Sequence, residues 1–138
     1  NSVLGLVEIG AVRATVDAAE VGPNAANVRA EVAVNPDSEL IPVTRSNGVL
    51  LALSAPQASG SGVIAGTSAL LQLEGWTWED MTLKAPVGLH VIWPSRFLPA
   101  GFPAAVAEGL RKAATEKRDA LTRALEQMAK ALRSGDGL

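Results

Sequence analysis

The chain has 138 residues, 48% of them hydrophobic, and a formal net charge of −2 at pH 7. That length suits one domain with a sizeable core, the basic footprint of a nucleic-acid binder is absent, and no apolar run approaches the roughly 18 residues needed to span a membrane. With no cysteine, disulfides and thiolate metal sites are excluded.

The chain opens at Asn1 without a methionine and ends in the turn-like Gly135-Asp136-Gly137-Leu138. Both ends read as those of a fragment or a processed product. Residues 1–138 are accordingly taken as a single domain or as an N-terminal fragment. Val3 to Leu6 reads as a short buried strand. Residues 11–34 are rich in alanine and valine and are broken at Gly22-Pro23-Asn24. A short helix follows, capped by Asp37 or Ser38 and stopped at Asn47-Gly48, with Pro42 in its first turn.

Val49 to Leu53 is apolar and of strand length. Gln57-Ala58-Ser59-Gly60-Ser61-Gly62 is a small-residue loop. Ala69 to Leu73 reads as a second strand and Leu89 to Trp93 as a third, stopped by Pro94. Between them, Gly75 to Met81 suits one helical turn capped by Thr77. From Pro103 to about Arg133 the spacing predicts one long helix. Its apolar stripe runs Val106, Leu110, Ala114, Leu121, Leu125, Met128 and Leu132. Glu108–Lys112, Asp119–Arg123 and Glu126–Lys130 are i,i+4 pairs in the acid-first order. Strands separated by helices point to an α/β architecture.

The chemical motifs are few. Gly60-Ser61-Gly62-Val63-Ile64-Ala65 matches a pyrophosphate-cradling pattern. A strand-like segment follows it instead of a helix, so it reads as a loop. His90 is the sole histidine and reads as a half-buried strand residue with a satisfied hydrogen bond. Its replacement is expected to change stability more than activity. Glu79 and Asp80 are adjacent and point different ways, a poor acid/base pair. Trp76 and Trp78 read as packing anchors, and Arg13, Arg29 and Arg45 as members of ion pairs.

Longer runs carry a resemblance. The runs Leu4 to Thr15, Asn35 to Val49, Gly66-Thr67-Ser68-Ala69, and Leu73-Glu74-Gly75-Trp76-Thr77-Trp78-Glu79-Asp80-Met81 followed by Lys84-Ala85-Pro86 resemble imidazolonepropionase-related amidohydrolases, within the metal-dependent hydrolase superfamily. The resemblance covers most of residues 1 to 94. It implies a partial (β/α)8 TIM-barrel-like segment with a long C-terminal helix. It also implies hydrolysis of C–N bonds in amides or cyclic amides, with metal-activated water. In such enzymes the first strand ends in His-x-His; here Asn1 and Val3 stand at those places. Valine cannot ligate a metal, and asparagine offers only a neutral oxygen.

No catalytic residue, cofactor-binding residue or metal ligand is therefore assigned to this chain. Zinc or a similar divalent metal is expected only in a complete protein, on later strands. Site-lining groups are expected at Asn1 to Gly5 and in the Gln57–Gly66 loop. The implied partner is the remainder of the barrel or a second chain, including a homo-oligomer, with neither nucleic acid nor membrane. The resemblance is compatible with periplasmic or exported bacterial relatives and does not fix the location. The alternative is a non-catalytic module, lacking metal ligands, that assembles with itself through the long helix and open strand edges. A third reading is a small-ligand binder using the glycine loop and the tryptophans.

Overall fold

The computed structural model describes residues 1–22, 24–59, 62–94 and 103–134. The chain divides into two compact units, Asn1–Ile92 and Trp93–Leu138.

The first unit begins irregularly. Val3 to Leu6 is a turn and not the expected strand: the Leu6 amide donates to the Val3 carbonyl at 2.9 Å, and Gly5 sits at φ +81°. Only glycine adopts that left-handed backbone at no steric cost. Two short 3-10 turns follow, Arg13–Thr15 and Ala30–Ala33. Helix α1 spans Leu40–Ser46. The buried Ser38 hydroxyl accepts the Leu40 amide at 3.3 Å at its start. Asn47 closes it, and Gly48 leaves at φ +86°.

Five short strands come next: β1 Leu51–Ser54, β2 Ile64–Thr67, β3 Ala69–Gln72, β4 Thr82–Lys84 and β5 Leu89–Val91. Helix α2, Trp78–Met81, lies between β3 and β4. One sheet has the order β1-β3-β4 and the other pairs β2 with β5. Every named pairing is antiparallel, with Leu51 opposite Gln72 and Ser54 opposite Ala69 in the first sheet.

This corrects the expected fold. The strands form two small antiparallel sheets and show no (β/α)8 TIM-barrel pattern. The reason lies in the connections. A parallel crossover needs about a dozen residues or more, usually as a helix. The link between β3 and β4, 73–81, is shorter and carries a single helical turn; the links between β1 and β3, 55–68, and between β2 and β5, 68–88, carry other strands and no crossover-length helix among the described residues. Strand-like sequence reports that a strand forms, but what the connection contains decides how it pairs.

The core gathers Leu6, Ala30, Val34, Ile41, Leu71, Leu73 and Met81. In β3, Ala69 and Leu71 are buried and alternate with half-buried Leu70 and Gln72, the period-2 pattern of a strand with one face inward. Trp78 packs against this core. Trp76 does not serve as a packing anchor: it is 92% exposed.

In the second unit, helix α3 spans Ala104–Ser134. The Pro103 carbonyl accepts the Ala107 amide at 2.9 Å, so the proline sits where its missing N–H costs nothing. The guanidinium of Arg118 lies 5.4 Å from the ring centroid of Trp93, a cation–π distance. The three acid-first pairs of the helix do not close into ion pairs among the described residues. Exposed pairs of this kind contribute little in any case. Among the described residues no helix is long and apolar enough to cross a membrane.

Candidate functional site

The first unit carries an open concavity of ≈ 570 Å³ where three distant stretches meet. Asn1, Ser2 and Val3 form one wall. Ala55, Pro56, Gln57 and Ala58 form the next, and Gly62, His90 and Ile92 complete it.

Backbone hydrogen bonds hold each stretch. The Ser2 amide donates to the Leu53 carbonyl at 2.8 Å, and the Ala55 amide donates to the Ser2 carbonyl at 2.9 Å. These bonds make a parallel bridge between Ser2 and Ser54 and set Asn1–Val3 beside the end of β1. The Gln57 amide donates to the Ala18 carbonyl at 2.6 Å, which pins the start of the loop. The Ile92 amide donates to the Val63 carbonyl at 2.8 Å. Gly62 has no room for a side chain: a Cβ there would lie 2.9 Å from the Gly22 oxygen and 3.0 Å from the Ser59 oxygen.

His90 is half-buried on β5, opposite Gly66. His90 and Ile92 are two residues apart and both line the concavity, as alternation along extended chain requires. The structure thus brings Asn1–Val3 and the Gln57 side of the small-residue loop together, and adds His90. Gly60 and Ser61 of the glycine motif lie outside the described residues. Ile64 to Thr67 is strand β2, so no helix N-terminus faces that loop. Sequence reasoning missed Ala55, Pro56 and Ile92 as lining residues. Only the two-residue alternation of His90 with Ile92 could have pointed to the last.

The other candidates lie elsewhere. Arg29 pairs with Glu31, Nη2 to Oε1 at 2.6 Å, and Arg45 pairs with Glu74 while also donating to the Leu73 carbonyl at 3.2 Å. Arg13 is exposed. Glu79 and Asp80 are exposed in the first turn of α2, where the helix dipole favours negative charge. Trp76 borders a separate depression of ≈ 360 Å³ with Asp37, Arg45 and Glu74.

The residues of the concavity do not fit a metal ion. They offer one imidazole, the neutral amides of Asn1 and Gln57, the Ser2 hydroxyl, and valine at one of the two places where the resemblance expects histidine. Among the described residues no group of three or more histidine, cysteine, aspartate or glutamate side chains comes together. A divalent site needs three or four such donors.

No protein-family profile matches the sequence, and no curated protein matches it. A crystal structure of an amidohydrolase from Thermotoga maritima MSB8 is similar in fold, with a TM-score of 0.66 at 22% identity over 98% of this chain. The match takes in 35% of that protein, so the chain spans about a third of its length. In backbone arrangement the chain is similar to that part of the Thermotoga protein.

Proposed function

We propose that this chain is a segment of an imidazolonepropionase-related amidohydrolase, and that it supplies a substrate-facing wall for hydrolysis of amide or cyclic amide C–N bonds. The observation that carries this reading is the concavity. The stretch that resembles the end of the family's metal-binding strand, Asn1–Val3, meets Gln57 and His90 there. The similarity to the Thermotoga maritima amidohydrolase supports it at the level of fold.

On this reading the chain's residues bind and orient. The Gln57 and Asn1 side-chain amides each carry an acceptor oxygen and two N–H donors, complementary to a substrate amide. Val3, Pro56 and Ile92 give apolar contact and keep water from one side of it. Activation of water falls to groups outside this chain, including the ligands of any divalent ion.

The test compares this chain with the complete gene product on a panel of linear and cyclic amides, with metal content measured in both. The chain alone is expected to hydrolyse nothing. The complete protein is expected to hydrolyse at least one class. A folded complete protein inert toward every amide removes the reading.

One observation favours the second reading, self-association. Ser2 already bonds the outer side of β1 at Leu53, so along that edge the backbone groups left facing away from β3 are those of residue 51. Leu50 and Leu51, beside this edge, are 65% and 53% exposed, and exposed apolar edges invite pairing. Sedimentation of the chain across concentration decides it: a constant monomer mass ends that reading.

A further inference from the structure

The chain has five asparagines, Asn1, Asn24, Asn27, Asn35 and Asn47, and of these Asn47 alone precedes a glycine. The side-chain amide of an asparagine can be attacked by the backbone nitrogen of the next residue, which closes a five-membered imide. A side chain on that next residue crowds the ring, and glycine has none. The other four are disfavoured. Pro36 after Asn35 has no N–H to give up, and Val28 after Asn27 is β-branched. Asn24 holds its Oδ1 on the Ala26 amide at 3.1 Å, and the Ser2 amide after Asn1 donates to the Leu53 carbonyl at 2.8 Å.

Asn47 and Gly48 are both exposed, and the space beside Gly48 is open. The folded turn nevertheless holds the reacting atoms apart. Asn47 lies at φ −86° and ψ 9°. At that ψ the Gly48 nitrogen eclipses the Asn47 nitrogen, so it must swing through about a third of a full rotation to meet the side chain. The Gly48 amide donates to the Arg45 carbonyl at 2.9 Å, and Asn47 Nδ2 donates to the Val43 carbonyl at 2.8 Å. Both bonds must break before the nitrogen reaches Cγ.

We propose that Asn47 is a self-modification site gated by the last turn of α1, and that its product keeps that turn from closing again. In the first step the bond from the Gly48 nitrogen to Asn47 Cγ forms and the Cγ–Nδ2 bond breaks. Nδ2 leaves as ammonia, carrying the proton from Gly48. Water then opens the imide at either carbonyl and gives aspartate or isoaspartate. Either product sets a carboxylate at the C-terminal end of α1, the negative end of its dipole. Where the amide donated to the Val43 carbonyl, the carboxylate offers only acceptor oxygens. Isoaspartate also adds a methylene to the main chain, which shifts Gly48 away from the Arg45 carbonyl.

The full chain is incubated in mildly alkaline buffer with and without denaturing guanidinium chloride. Peptide mapping by mass and elution then follows asparagine, aspartate and isoaspartate at each of the five positions. Asn47 is expected to convert first, and at least about tenfold more slowly in the folded chain, as a pair of ordinary hydrogen bonds would impose. The same map of the complete gene product gives the folded rate without requiring the chain to fold alone. Equal rates with and without denaturant overturn the gate, and no preference for Asn47 in denaturant overturns the site. Asn47→Asp is expected to unfold at lower urea than the unaltered chain. Asn47→Ser, which loses the amide without gaining a charge, is expected to fall between them. A midpoint for Asn47→Asp at or above that of the unaltered chain overturns the claim that the product holds the turn open.

Discussion

The hydroxyl of Ser54, at 0% exposure, donates to the carbonyl of Leu4 at 2.6 Å. This bond ties the opening turn of the chain to the last residue of β1, next to the bridge that places Asn1–Val3. Ser54→Ala leaves the Leu4 carbonyl without that partner. A buried acceptor so abandoned costs about 1–3 kcal/mol. Urea denaturation is expected to show a loss in that range. Unchanged stability would show that water replaces the hydroxyl freely.

Gly66 and Gly48 form a matched pair for a second prediction. Both have positive φ, +120° and +86°. A Cβ at Gly66 would meet the Val28 oxygen at 2.7 Å and its Cβ at 2.8 Å, whereas Gly48 faces open space. Gly48→Ala is expected to cost about 1 kcal/mol from backbone strain alone. Gly66→Ala is expected to cost about 3 kcal/mol, since overpacking adds to the strain. Similar losses at the two positions would mean that the chain around Val28 yields.

Thr77 caps α2, accepting the Asp80 amide on its side-chain oxygen at 3.2 Å. Thr77→Ala is expected to lower stability by about 1 kcal/mol, and Thr77→Ser to restore most of it. Thermal unfolding of the three proteins decides. Equal midpoints for the alanine and serine variants would remove the cap as a contributor.

Glu31 is 1% exposed, and its Oε1 takes both Nε and Nη2 of Arg29 at 2.6 Å. Its Oε2 has no hydrogen-bond partner among the described residues. A half-satisfied buried carboxylate is a poor stabiliser compared with a well-packed apolar side chain. The Arg29 side chain is 60% exposed and can return its charge to water. Glu31→Leu is therefore expected to raise stability by about 1 kcal/mol, read from the denaturation midpoint. A marked loss would show that the ion pair fixes the local backbone.

The elements were largely legible where local chemistry sets them. Thr77 two residues after Gly75 announces α2, Asn47-Gly48 announces the end of α1, and the stripe through Leu110 and Leu121 announces α3. Strand pairing was not legible, because β1 and β3 read alike whether parallel or antiparallel. Val3 to Leu6 misled because three apolar residues outweighed Gly5, whose positive φ makes the turn. β4 escaped notice because Thr82-Leu83-Lys84 is too short to show a period. At the concavity, Asn1–Val3 and Gln57 carried the family resemblance or a loop signature. Their meeting with His90 depends on the β2–β5 register and its irregularity between Ile64 and Gly66, which no local pattern encodes.

The bridge between Ser2 and Ser54 has a consequence for the order of assembly. The concavity takes its walls from the beginning, the middle and residues 90 and 92 of the chain. Contacts that distant in sequence must wait for long loops to close, and so form late. On the ribosome, the first wall emerges early and has nothing to face until Ser54 and then His90 follow. Any ligand of this concavity must therefore wait until the chain has been made past Ile92.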